Sequence, residues 1–353
     1  MEGALGELRA AVMGAHREKR ALRLRGAGTK DFYGERCHGE PLDLAGYRGV
    51  VEYEPSELVL TARCGTPLSE IEALLAHHKQ FLAFEPPSFG GDPTIGGCVA
   101  AGLSGPRRAY AGAARDFVLG AVLLGVDGEV LHFGGKVMKN VAGFDVSRLL
   151  CGSLGILGPI LEMSLKVMPQ PREEETLRFA LTEAAALEAF NCWAGQPLPL
   201  SASAWWNGAA YLRLSGAPAA VRAARIRLGG EALEAPAAAE WWRELRSQRH
   251  TLFGGVPNLW RLSVPSNIAQ LELDGARLIE WGGALRWYAS DLPASEVRRI
   301  ATAAGGSALH WRGGAAGSRF HPLAAPVLAI HRRLKERFDP HGIFNLNRLA
   351  VGL

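Results

Sequence analysis

Two glycine-dense clusters carry the chemistry this sequence can offer. They are Pro87-Ser-Phe-Gly-Gly-Asp-Pro-Thr-Ile-Gly-Gly-Cys98, and Lys139-Asn-Val-Ala-Gly-Phe-Asp145 followed by Gly152-Ser-Leu-Gly-Ile-Leu-Gly158. Without a β-carbon, glycine lets backbone N–H groups approach a ligand closely and take positive φ, so stacked glycine turns form donor-lined concavities. Such a concavity suits a planar, anionic ligand, and a dinucleotide is the natural candidate. A third run, Gly26-Ala-Gly-Thr-Lys-Asp31, follows the alternating Ala21-Leu-Arg-Leu-Arg25. Its sixth position is aspartate and no helical pattern follows, so the Rossmann fingerprint is absent, as is Walker A spacing. A short strand feeding this loop can still cradle a pyrophosphate through N–H groups, with Thr29 as an extra donor, or can be a tight turn.

Composition narrows the class. The 353 residues are 48% apolar and 21% charged, with 39 basic and 35 acidic residues and a net charge of +4. That describes a globular chain long enough for two cores. No basic run interleaves with aromatics, which argues against a nucleic-acid surface. Cys37, Cys64, Cys98, Cys151 and Cys192 form no Cys-x-x-Cys pair, which leaves no iron–sulfur ligand array and makes a disulfide framework unexpected. A reducing cytoplasm fits this usage. The N-terminus lacks a basic start followed by an apolar core, and no apolar run reaches about 18 residues, so neither secretion nor membrane spanning is expected.

The elements that must position the glycines read as α+β. Leu5, Leu8, Val12 and Ala15 fall at helical spacing over residues 4 to 19. Short strands are expected at 50–53 and 58–62. A helix is expected from Thr66 to His78, with Thr66 as N-cap and Pro67 at its first position. Residues 117–124 and 130–133 read as a hairpin around Asp127-Gly128, and 160–167 as a closing strand ending at Pro169. Prolines and a charge run at 169–175 mark a domain boundary. Beyond it, strand 177–181, helix 183–193, strands 202–206 and 209–214, helix 218–226 and strand 231–234 spell βαββαβ. The same order recurs over 259–264, 268–273, 277–281, 284–289, 295–304 and 308–311. An amphipathic helix at 326–338 and a tail complete the chain, giving expected domains of 1–170, 171–325 and 326–353.

The order of the glycine clusters resembles the FAD-binding domain of the vanillyl-alcohol oxidase and p-cresol methylhydroxylase (PCMH) superfamily. Arg115-Asp116, Phe133-Gly-Gly-Lys-Val-Met-Lys-Asn-Val-Ala-Gly-Phe-Asp145, Ser147-Arg-Leu-Leu-Cys-Gly-Ser153 and the terminal Asp339-Pro-His-Gly-Ile-Phe-Asn345 more specifically resemble the FAD-binding E subunits of bacterial glycolate oxidases. The resemblance covers most of the chain. It implies a two-lobed PCMH-type FAD-binding domain followed by an α+β domain of two ferredoxin-like βαββαβ halves.

It also implies site residues. Gly26, Ala27, Gly28 and Thr29 match the loop around the pyrophosphate; Pro87, Ser88, Thr94, Ile95, Gly96 and Gly97 match the cluster lining the diphosphate and flavin. Asp116, Lys139, Asn140, Val141, Ala142, Gly143 and Asp145 fall in segments around the cofactor. Gly155, Ile156 and Ile160 match its adenosine half, and Asn345 a position close to the flavin ring. Each glycine could equally make a turn, and each aspartate a cap or ion pair. No histidine lies in the first glycine loop, so FAD is expected to be non-covalent, with His38 and His132 the remaining attachment candidates.

Oxidising a 2-hydroxy acid needs a base for the hydroxyl proton, a cation or metal for the carboxylate, and the flavin as hydride acceptor. Related catalytic subunits carry a His-x-Gly-Asp-Gly-Asn-x-His stretch. The nearest region here supplies only His310 and His321 with no acidic residue, so no metal site is expected and the catalytic residues stay unassigned. Arg107, Arg108, Arg312 and Arg319 are carboxylate candidates or solvated arginines, and His77-His78 ends a helix. Trp205-Trp206 and Trp241-Trp242 are core or a partner surface. The implied role is the FAD-binding subunit of a glycolate oxidase or dehydrogenase complex converting glycolate to glyoxylate. Its partners would be a catalytic flavoprotein subunit and an iron–sulfur subunit, in the cytoplasm and at a membrane only through partners. The alternatives are a self-sufficient FAD-dependent 2-hydroxy-acid or sugar-lactone dehydrogenase, and a non-catalytic scaffold.

Overall fold

A computed structural model of the chain describes residues 2–135, 145–314 and 317–353. Its backbone divides into two units. The first joins Met1–Leu103, Ala113–Pro169 and Pro322–Leu353; the second joins Ser104–Gly112 and Gln170–His321.

The first unit is built on a five-stranded antiparallel sheet in the order Val50–Glu54, Val59–Arg63, Ile160–Lys166, Val118–Leu124, Val130–Gly134. The central strands are buried on both faces, which is why they read as near-continuous apolar runs. Where two polar side chains meet inside, they satisfy each other: Thr61 Oγ1 and Ser164 Oγ are 2.8 Å apart. The amphipathic helix Glu2–Glu18 buries Leu8, Val12 and Ala15 against Leu124 and Leu161. That same cluster takes in Leu22, Leu42, Ile343 and Phe344, so the first strand, Leu22–Arg25, pairs in parallel with Glu40–Asp43 on one side and meets Phe344 on the other.

The helix expected from Thr66 runs from Leu68 to His77, and Thr66 does not cap it. Its hydroxyl bridges the carbonyls of Gly49 and Arg63, while Asp92 accepts from Ser69 N and Ser69 Oγ in its place. A short helix not read from the sequence, Ile95–Ala101, is capped at both ends: Thr94 Oγ1 accepts from Gly97 N and Gly102 ends it at φ 64°.

The second unit carries an eight-stranded antiparallel sheet made of two four-stranded halves, the first βαββαβ and the second the same strand order without its first helix. The first half has the order Glu231–Ala232, Glu173–Ala180, Ala209–Gly216, Leu200–Trp206, and the second Arg277–Glu280, Leu285–Ala289, Leu259–Ser263, Ser307–Arg312. Both follow the ferredoxin-like 4-1-3-2 order read from one end or the other, and they join where Leu200–Trp206 pairs with Arg277–Glu280. The helix expected at 268–273 is absent. Between Pro265 and Gly275 two carbonyls, those of Ile268 and Ala269, are instead bound by the buried Arg286 guanidinium, which also donates to Gly283 O. The helix Ala235–Ser247 went unread in the sequence although Pro236 marks its first turn. It buries Trp242, whose indole N–H donates to Thr176 Oγ1 at 2.9 Å. Trp205 is likewise core, while Trp206 and Trp241 are half-buried and flank the His250 ring.

Three histidines of this unit, His250, His310 and His321, are held below the ordinary imidazole pKa, in each case chiefly by burial; arginines add to the effect at His310 and His321. His250 Nδ1 and His321 Nδ1 accept backbone N–H groups from Leu252 and Ala308, so protonation would break both bonds. The unfolded chain takes up these protons near pH 6.5 and the folded chain only at lower pH. Thermal stability is therefore expected to fall as pH is lowered from about 7.5 to about 5.5. Melting curves across that window check this, and His321→Gln should flatten the slope.

Candidate functional site

The first glycine loop sits at the end of Leu22–Arg25 and opens onto a cavity of about 110 Å³. Gly26, Ala27, Gly28, Thr29, Thr94, Gly97 and Asn345 line it. An adjoining apolar pocket shares Gly26, Thr94, Gly97 and Asn345 and adds Gly96, Gly155 and Ile160. Ten of the sequence-predicted residues thus converge on one place.

The loop's backbone is the part fitted to an anion. Among the described residues, the consecutive N–H groups of Ala27, Gly28, Thr29 and Lys30 donate to no acceptor in the chain. Four adjacent free donors on a turn that Gly28 takes at φ 75° make a nest in the physical sense. Around it stand cations the sequence reading left out. Arg23, Arg25, Lys30 and Arg348 line the cavity, against the single carboxylate of Asp31. Lys30 Nζ lies 3.4 Å from Thr29 Oγ1 and 5.6 Å from the Phe89 ring centroid. The signal was available, since three of these cations flank the loop in sequence.

The second cluster works differently from expectation. Ile95 N and Gly96 N donate to Thr66 O and Cys64 O, and Gly97 N to Thr94 Oγ1, so these groups hold the helix end in place. Its glycines permit close approach. A Cβ on Gly96 would stand 2.5 Å from Cys64 Cβ, and one on Gly26 would collide with Thr94 Oγ1. Cys64 behind them is no nucleophile at neutral pH, because burial pushes its thiol up to about 12. Pro87, Ser88 and Ile95 do not line these cavities. Ile95 is fully buried, and the 87–91 segment backs the first loop, with Phe89 edge-on to Phe32 at 5.2 Å and Gly91 against the Thr29 methyl.

The third cluster seals the floor. Gly152 N and Leu154 N donate to Val99 O and Ala100 O, docking the turn on the last carbonyls of Ile95–Ala101. Leu154, at φ 53°, is a left-handed leucine that lines both pockets, a strained backbone of the kind concentrated at functional sites. Both ends of the Asn345 amide are engaged: its Oδ1 accepts from Leu24 N and its Nδ2 donates to Leu154 O, each at 2.7 Å. It joins the strand that carries the loop to the turn that closes the pocket.

Asp116, Asp145 and Ile156 line a separate, wider concavity of the same unit. Asp116 accepts from Ala113 N at 2.8 Å and Asp145 from Arg148 N and Ser147 Oγ, so both act as caps, each with an arginine partner. Cys151 there is pushed up to about 12 by burial. Lys139, Asn140, Val141, Ala142 and Gly143 lie outside the described residues. His38 and His132 are exposed and line neither cavity.

In the second unit the arginine candidates are engaged. Arg107 pairs with Glu174 at 2.6 Å, Arg312 donates to Phe253 O, Arg319 meets three carbonyls, and Arg108 lies over the Trp281 ring. His310 packs on Trp260 and His321 caps a strand end; among the described residues no three His, Cys, Asp or Glu side chains form a metal-binding group.

Comparison with known proteins agrees with this geometry. Residues 4–134 match the FAD binding domain family. Glycolate oxidase subunit GlcE of Escherichia coli K12 is 45% identical over 336 residues, 95% of this chain and 94% of that protein. Glycolate oxidase subunit GlcD of Bacillus subtilis is 33% identical over 36% of this chain and 27% of its own length. D-lactate dehydrogenase of Archaeoglobus fulgidus is 29% identical over 40% and 31%. A solved structure of alkyldihydroxyacetonephosphate synthase shares the fold, with a TM-score of 0.65 at 16% identity over 96% of this chain and 75% of its own. The chain belongs to the family of the glycolate oxidase subunit GlcE, as an FAD-binding oxidoreductase component of PCMH type.

Proposed function

We propose that this chain is the FAD-binding subunit of a complex that oxidises glycolate to glyoxylate, and that the N–H nest at Ala27–Lys30 holds the FAD diphosphate. The four unpartnered donors carry this reading, because they offer a dianionic group hydrogen bonds that the chain itself does not use. Arg23 and Lys30 add positive charge, and Leu24, Leu154 and Ile160 give the adjoining pocket an apolar wall for a flat ring system. We read FAD as held without a covalent bond to histidine, since among the described residues no histidine lines the pocket. When bound it supplies two-electron chemistry. The residues of this chain bind and orient it, and Leu154 and Asn345 shape its surroundings.

Substrate oxidation falls to a partner flavoprotein subunit of the GlcD kind. Arg107, Arg312 and Arg319 of the second unit are engaged with Glu174 and backbone carbonyls, which takes these carboxylate-anchor candidates out of play. With five cysteines in no ligand array, an iron–sulfur partner subunit takes the electrons onward. Among the described residues no helix is long and apolar enough to cross a membrane, so contact with one comes through those partners. Co-expression with a GlcD-like flavoprotein and an iron–sulfur subunit tests the proposal. A complex with glycolate-dependent dye reduction, absent when this chain is omitted, supports it. Full activity of the other two subunits alone contradicts it.

A further inference from the structure

The C-terminal tail reaches the glycine loop through one side chain. Arg348 Nη1 donates to Glu35 O at 3.1 Å, and its Nη2 donates to Lys30 O at 3.1 Å and Asp31 O at 3.0 Å. In return Glu35 N donates to Arg348 O at 2.9 Å. Arg348 also lines the cavity. Gly34, at φ 97°, passes so close that a Cβ there would stand 3.0 Å from Arg348 O and 3.1 Å from its Nε. The same tail is fixed two ways upstream. Arg348 N donates to Asn345 O, and Asn345 binds Leu24 N and Leu154 O. Asn345 and Asn347 both take the left-handed region, at φ 42° and 68°, which asparagine tolerates better than other side chains.

A planar fork with five donors can gather three carbonyls that lie on different peptides, and an ammonium cannot match that geometry. The three carbonyls belong to the last residue of the donor nest and to the segment just after it. They point toward the tail while the N–H groups of Ala27–Lys30 remain free. We propose that Arg348 is a positioning residue for the cofactor loop, holding the nest in its binding shape before FAD arrives and coupling FAD binding to order in the tail. This rests on the reading that Ala27–Lys30 receives the diphosphate. If the loop holds its shape only part of the time, apparent affinity falls by that fraction, and the coupling acts equally in both directions.

The test uses the full chain stripped of FAD, as wild type, R348A and R348K, with FAD binding followed by flavin fluorescence and amide exchange by mass spectrometry. R348A is expected to weaken FAD binding about tenfold or more, with R348K recovering only part of it. The bonded amides of Asp31, Tyr33 and Glu35 should exchange faster in R348A while those of the five-stranded sheet stay as in wild type. Added FAD should protect amides 343–348 in wild type and not in R348A. R348K carries the comparison if R348A does not fold. Unchanged FAD affinity in the variants, or no protection of the tail in a wild type that binds FAD, overturns the proposal alone. A wild type that binds no FAD overturns the reading of the loop and the proposal with it.

Discussion

Asp339→Ala is expected to destabilise the first unit by about 3–5 kcal/mol, because it breaks a buried ion pair from one side. Asp339 and Lys335 are 1% and 4% exposed. The carboxylate accepts from Lys335 Nζ at 2.6 Å, from Ile343 N at 2.9 Å and from Phe344 N at 2.7 Å. Lys335 Nζ also donates to Ile156 O and Phe344 O, each at 2.7 Å. Burial holds Lys335 below the ordinary lysine range, and Asp339 opposes that shift. Removing the carboxylate leaves an ammonium short of its counter-charge and two buried N–H groups without acceptors. Phe344 belongs to the core shared with the first helix and strand, so the loss should spread to the glycine loop. A thermal melt checks this, and FAD retention should fall with it. An unchanged melting temperature would show that the tail is not anchored as described.

Gly28→Ala should weaken FAD binding about tenfold with a smaller effect on the fold. At φ 75° an alanine pays about 1–2 kcal/mol for the left-handed conformation. Its Cβ would also meet the Arg25 guanidinium, which folds over the turn and pairs with Asp31 at 3.1 Å. If the strain falls on the shape that binds the diphosphate, about 1.4 kcal/mol corresponds to that tenfold change. Titrating FAD into the stripped protein measures it. Gly46→Ala, where nothing lies within 4 Å of a Cβ, should bind as wild type does.

Much of the fold was legible because its periodicities are strong. Leu8, Val12 and Ala15 mark the first helix, the alternation after Pro169 spells one βαββαβ half in full and the strand order of the other, and Asp127-Gly128 makes its hairpin. The exception at 268–273 shows the limit of pattern. The helical position was inferred from repeat order, while Arg286, distant in sequence, supplies the bonds that replace it. Glycine roles were the hardest to read. Gly28 opens a nest, Gly96 clears Cys64, and Gly152 lets a turn dock on a helix end, yet all three look alike in sequence because what distinguishes them is the neighbour each meets. Asn345 was placed near the flavin by resemblance, and it lines the pocket; that both ends of its amide are bonded to backbone could only come from the fold. Arg348 lay beyond reach for the same reason, since its three carbonyls are more than 300 residues away in the chain.

The most direct measurement is the visible spectrum of the purified chain before and after glycolate and D-lactate are added without oxygen. A flavin spectrum that neither substrate bleaches, and that glycolate bleaches once the partner subunits are added, is the predicted result. Rapid bleaching of the chain alone would contradict the account, because it would show that this chain holds a complete substrate site of its own.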